Sequence, residues 1–147
     1  MSLRVFFDTN VMLDLIQERP GYEDAARVLQ LQEDGRIEVC LSTLSMANIA
    51  YVLRKTVPNS LIVPTLKQIS SLVTIVPMDD TQLQEALLLD GPDVEDLFQA
   101  VCAKYAGCDI LLTHNIRDYR IGKGLHESYQ LPVIQTPESF LQKDNEV

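Results

Sequence analysis

The chain has 147 residues, a formal net charge of −9 and a pI of about 4.5. At 46% hydrophobic and 22% charged it has the composition of a single globular domain, able to bury roughly two-thirds of its unfolded surface, which excludes disorder for most of its length. No apolar run approaches the ~18–20 residues of a membrane helix, and the opening MSLRVFFDTN lacks the apolar core of a signal peptide.

In chain order, 4–7 is a short apolar run ending at Asp8 and reads as a buried strand. A short helix is expected over 11–16, and a longer one over 22–33, closed by Gly35 as its C-terminal cap. A second strand over 37–41 leads into a helix over 43–55, capped by Ser42 or Thr43. Helix 60–72, strand 73–76 and helix 81–89 follow. The clearest helix opens after Gly91-Pro92-Asp93: Val94, Leu97, Phe98, Val101, Cys102 and Tyr105 fall on one stripe, with the small Ala100 and Ala103 beside it. Gly107 ends that helix, a fourth strand runs over 109–113, a fifth over 132–135, and a last short helix over 137–142. Residues 143–147 read as a polar tail to one domain spanning 1–142. Apolar strands alternating with helices predict a three-layer α/β/α sandwich around a mostly parallel five-stranded sheet.

Cys40, Cys102 and Cys108 form no CxxC and no zinc-spaced cluster, so they read as reduced, buried thiols of an intracellular, cytoplasmic protein. An excess of 21 acids over 12 bases argues against a simple electrostatic binder of nucleic acid. It suits a chain that gathers carboxylates around a divalent metal.

Ligands of such folds sit beyond the carboxyl ends of the strands. Asp8 follows the first strand and Asp118 lies five residues after the fourth. Asp93 and Asp96 open the helix that feeds the fourth strand, which brings them to the same edge. Carboxylates crowded together repel unless a cation neutralises them, and an all-oxygen set suits Mg²⁺ or Mn²⁺. Each acid also has a plainer reading: Asp93 as a helix cap, Asp8 as a turn residue, Asp118 as a loop acid, and Glu95 and Asp14 as solvated helix positions. The stretch with His114, Arg117, Arg120, Lys123 and His126 is locally basic. It either guides phosphates or balances nearby acids. The sequence shows no aromatic-rich RNA platform.

Phe6-Phe7-Asp8-Thr9-Asn10-Val11, the DxED segment Asp93-Val94-Glu95-Asp96, and the TxNxxDY segment from Thr113 to Tyr119 together resemble the PIN domain family. The resemblance spans about residues 3–140. It implies a metal-dependent ribonuclease and a link to VapC-type toxins of toxin–antitoxin pairs. It further implies Asp8, Asp96 and Asp118 as catalytic metal-binding acids, with Asp93 as a further metal-binding acid and Asn115 as a polar positioning group. Thr9 and Asn10 would shape the metal loop, Thr113 would orient a carboxylate or water, and Arg117, Arg120 and Lys123 would meet the RNA.

One position departs from the pattern. Many PIN domains carry a Glu in the helix after the second strand, where this chain has Asn48. An amide oxygen can ligate weakly but brings no charge. A competing reading is therefore a weakened PIN-like module that binds nucleic acid or protein, the acidic surface suiting a basic antitoxin segment. A phosphoacceptor domain of the haloacid-dehalogenase type fits less well, because it wants a second Asp where Asn10 stands. The apolar Met46, Ile49, Val52 and Leu53 on one helix suggest a homodimer.

Overall fold

The computed structural model describes residues 3–119 and 129–145. Its elements are β1 (Leu3–Phe7), α1 (Thr9–Gln17), α2 (Tyr22–Glu33), β2 (Ile37–Ser42), α3 (Thr43–Leu53), α4 (Asn59–Leu72), β3 (Thr74–Val76), α5 (Asp80–Leu88), α6 (Val94–Tyr105), β4 (Ile110–Leu112), a 3₁₀ turn (Ile116–Tyr119), β5 (Val133–Gln135) and α7 (Pro137–Asn145). The last helix runs on to Asn145, through the first residues of the expected tail.

The strands form one sheet in the order β3-β2-β1-β4-β5, and every neighbouring pair is parallel. From β1 the chain winds outward through β2 to β3, then returns to β4 on the other side of β1. The order thus reverses between β1 and β4, and in open parallel sheets that crevice is where ligands bind. Alternation along the strands divides the core. Val5, Phe7, Val39, Leu41 and Leu112 pack with α1 to α4 and α7, whereas Phe6, Cys40, Val76 and Leu111 pack with α6.

The α6 stripe differs from expectation at both ends. Val94 and Tyr105 are half exposed. The small Ala100 and Ala103, fully buried, let the helix approach the sheet closely, while Leu97 and Val101 pack with Ala86 and Leu89 of the α5 region. The glycine caps hold as read. Gly35 takes φ +79°, its amide reaches the Gln32 carbonyl, and the Arg36 amide reaches Leu31; this is the paired ending that only a left-handed residue permits cheaply. All three cysteines are free and buried. Among the described residues no helix is long and apolar enough to cross a membrane.

The side chains that suggested a dimer are largely used within the chain. Ile49 and Leu53 are buried in the core, and Met46 and Val52 pack partly against it.

Candidate metal centre and active site

Register brings the first two site residues together. Phe7 pairs with Leu112, so Asp8 and Thr113 leave the sheet side by side at the point where the strand order reverses. The Asp8 amide donates to the Leu112 carbonyl at 3.0 Å, and the Thr113 hydroxyl donates to the Asp8 carboxylate at 2.8 Å. Asp8 is the N-cap residue of α1, but its side chain makes no capping bond; the carboxylate is committed to the crevice instead. It is 5% exposed. Burial raises its pKa, opposed chiefly by the Thr113 hydroxyl and the Thr9 amide.

The other acids arrive from two helical starts. Asp93 has an extended backbone before α6 and accepts the Asp96 amide at 3.1 Å. The capping role and the site role are thus one arrangement, because the cap holds Asp96 in the first turn. Asp118 is carried by the 3₁₀ turn. The Asn115 amide donates to the Thr113 hydroxyl at 3.1 Å and the Asp118 amide to the Asn115 carbonyl at 3.0 Å. Carboxylate oxygens of Asp93, Asp96 and Asp118 then lie within 4.8 Å of one another. The Asp96 carboxyl is pushed up to about 7, first by burial and then by the charges of Asp8, Asp93 and Asp118. Among the described residues no ion pair reaches any of these four acids. The donor set is all oxygen, which fits a hard divalent cation.

Asp8 and Asp96 line a cleft of about 420 Å³ together with Thr9, Asn10, Leu13, Asn48, Tyr51, Val52, Glu95 and Gln99. Asn48 therefore does share a wall with the acids. Glu95 is exposed, as read, but exposed into this cleft. His114, Asn115, Ile116 and Arg117 line a second opening of about 430 Å³ that reaches Asp118. Arg120, Lys123 and His126 lie outside the described residues.

Three features escaped the sequence reading. The first is a polar network beneath the cleft. Gln99 donates to Ser45 at 2.9 Å and to Thr9 at 3.1 Å, the Ser42 hydroxyl donates to Gln99 at 2.8 Å, and Thr9 and Ser45 share a bond of 2.7 Å. It ties α1, α3 and α6 together under the acids. Its signal was spacing: Gln99 stands one turn after Asp96, and Ser45 one turn after the Ser42 cap. The second is Tyr119, 3% exposed, whose buried hydroxyl faces Asp8 and Asp96. Burial and the charges of Asp8 and Asp96 raise its pKa, so it stays a neutral donor beside the acids. The third corrects the solvated reading of Asp14. That residue is buried, with one oxygen 2.5 Å from His114 Nε2 and the other 3.7 Å from Arg19.

A parallel sheet with acids at its reversal point, two of them delivered by a capped helix start, defines a class of metal-suited α/β domains. The profile of the PIN domain family matches residues 4–117, and the chain belongs to that family. Ribonuclease VapC1 of Aquifex aeolicus (strain VF5) is 25% identical over 120 residues, covering 78% of this chain and 83% of that protein. The fold is shared with the crystal structure of VapBC2 from Rickettsia felis bound to a DNA fragment from their promoter (TM-score 0.66, 16% identity, 91% of this chain and 98% of that one). It is also shared with VapC20 of Mycobacterium tuberculosis, a toxin that cleaves the sarcin-ricin loop (TM-score 0.56, 14% identity, 73% of this chain and 86% of that one).

Proposed function

We propose that this protein is a Mg²⁺- or Mn²⁺-dependent endoribonuclease, the toxin of a toxin–antitoxin pair, working in the cytoplasm where its RNA would be. The observation that carries the reading is the convergence of Asp8, Asp93, Asp96 and Asp118 with no counter-cation among the described residues. Asp8, Asp96 and Asp118 would hold the metal, with Asp93 beside them. When bound, the ion supplies the positive charge that lets an anionic phosphodiester enter and that polarises phosphate and water.

The chain's own groups do the rest. Thr113 fixes the Asp8 carboxylate by its hydroxyl, and the Gln99 network fixes Thr9 and with it the first turn of α1, which carries Asn10. The raised Asp96 carboxyl surrenders its proton when a cation replaces it. Tyr119 keeps its proton and offers a neutral donor to the acids. Asn115 shapes the turn that presents Asp118, and Arg117, with Arg120 and Lys123, would contact flanking phosphates. The antitoxin reading draws support from the relatives found as VapBC complexes, and from a net charge of −9 that suits a basic segment.

The test is cleavage of single-stranded RNA by purified protein, with Mn²⁺ added and then removed by chelation. Cleavage that needs the ion supports the reading. Metal binding without cleavage would favour the second reading, a PIN-like binding module weakened at Asn48, which that residue's place in the cleft wall keeps alive. A homodimer remains part of the proposal; with Ile49 and Leu53 buried, it would have to use surface such as Leu61 and Val63 of α4, 50% and 58% exposed. A monomer mass by sedimentation at high micromolar concentration would remove it.

A further inference from the structure

The acids are only part of the cleft's lining. α3 brings Asn48, Tyr51 and Val52 to the same cleft. Tyr51 is 58% exposed there, a large aromatic face left in water beside a charged site. Two cations just beyond the end of α3 lie over its ring, Lys55 Nζ at 4.8 Å and Arg54 Cζ at 5.9 Å from the centroid. An exposed aromatic ring with two cations beside it thus lines the same cleft as Asp8, Glu95 and Asp96.

We propose that Tyr51, Arg54 and Lys55 form a nucleobase subsite, resting on the ribonuclease reading above. Tyr51 stacks one base of a single-stranded RNA next to the nucleotide whose phosphate meets the acids, and Arg54 and Lys55 take a neighbouring phosphate. The chemistry argues for RNA over a purely apolar partner. A stacking ring flanked by cations matches an unpaired base with its own backbone charge, and an apolar partner would have to desolvate both cations.

The chain contains no tryptophan, so Tyr51→Trp places a single such fluorophore in the subsite. The probe is a ten-nucleotide single-stranded RNA in Ca²⁺, with binding followed separately by anisotropy of the labelled RNA. Stacking quenches the indole as RNA is added. In parallel, Tyr51→Ala weakens binding about five-fold to a hundred-fold, the range of one lost stack, and Tyr51→Phe restores most of it. The Tyr51→Ala loss also shrinks when the RNA carries an abasic site at the contacted position. Arg54→Gln and Lys55→Gln each lower the slope of log affinity against log salt by about 0.7. RNA that binds without quenching, or a Tyr51→Ala variant that binds as well as wild type, overturns the subsite. So does a Tyr51→Ala variant that turns a dimer into a monomer with RNA affinity intact, which would make the ring a contact between copies. A wild-type protein that neither binds nor cleaves RNA brings down the ribonuclease reading itself, and the subsite with it.

Discussion

The two ends of β1 treat charge in opposite ways. At the amino end Arg4 pairs with Glu38 at 3.2 Å, its guanidinium also donates to the Ala106 carbonyl and to the Cys40 sulfur, and its amide donates to Asp109 at 2.9 Å. Glu38 takes a further bond from Thr74 at 2.8 Å. Four residues on, ~13 Å at ~3.3 Å per residue, Asp8 enters a group of acids that no described cation balances. One strand therefore carries a finished electrostatic arrangement at one end and an unfinished one at the other. The first serves stability. The second crowds like charges among the described residues, an arrangement suited to something positive.

The sharpest way to break this contrast is to remove an acid. Asp96→Asn should lower metal-dependent RNA cleavage by at least ~10³-fold, about 4 kcal/mol of transition-state stabilisation. Without metal the variant should melt at the same temperature as wild type or higher, because a repelling charge has gone. Equal cleavage rates for the two purified proteins would remove Asp96 from the site. The same change at a compensated charge should do the reverse. Arg4→Gln leaves Glu38 without its cation and the Ala106 carbonyl without its donor, so it should cost about 1–2 kcal/mol, or ~2–8 °C in melting temperature. Cleavage by the folded variant should be unchanged; a lost kcat with unaltered melting would mean that the two ends are coupled.

Asn48 sharpens the comparison from inside the cleft. Asn48→Glu adds an anion where the acids already crowd, so the apo protein should lose stability. Mn²⁺ affinity should rise about ten-fold once desolvation has offset part of the added attraction. Titration calorimetry and melting with and without Mn²⁺ read both halves. Unchanged values on both counts would leave Asn48 a structural polar contact.

Much of this was legible because local chemistry and the global fold agreed. Apolar strands, glycine caps at Gly35 and Gly107, and a Ser42 cap each point to one topology, and the sheet is the expected one, parallel throughout. Asp8, Asp93, Asp96 and Asp118 could be gathered by arguing from strand ends and helix direction. What stayed hidden depends on contacts between distant segments. Asp14 reads as a solvated helix residue until His114, a hundred residues away, closes over it. Gln99 reads as an ordinary helix polar until α1 and α3 bring Thr9 and Ser45 to it. Tyr51 was hidden for the opposite reason: on an apolar helix an aromatic suggests core, and only the cleft beside it shows that it is left in water.

The smallest expected effect follows from protons, and its sign separates the two ends of β1 once more. Asp96 titrates near 7 in the folded protein, because of burial and then of Asp8, Asp93 and Asp118, against an ordinary value of 3.8. Below pH ~4 it is protonated in both folded and unfolded chains. Between there and about 7 the folded chain holds the proton that the unfolded chain has released. Raising the pH through that window must therefore lower the stability of the apo protein. The full gap would be worth about 4 kcal/mol, but the group is only half buried, and solvent screening reduces it to ~1 kcal/mol, or ~2–4 °C. Asp8, raised chiefly by its own burial, acts in the same direction. A bound cation takes the proton's place, so the gain in melting temperature on adding Mn²⁺ should grow from pH 5 to pH 7.5. Asp96→Asn should flatten the apo slope over that range. Comparing the two proteins cancels the general easing of repulsion toward the pI of about 4.5. Arg4→Gln, which changes a charge that does not titrate in this window, should shift the whole curve down and keep its slope. If Asp96→Asn keeps the wild-type slope instead, the proton sits elsewhere, and the crowding of acids at the carboxyl end is weaker than their spacing implies.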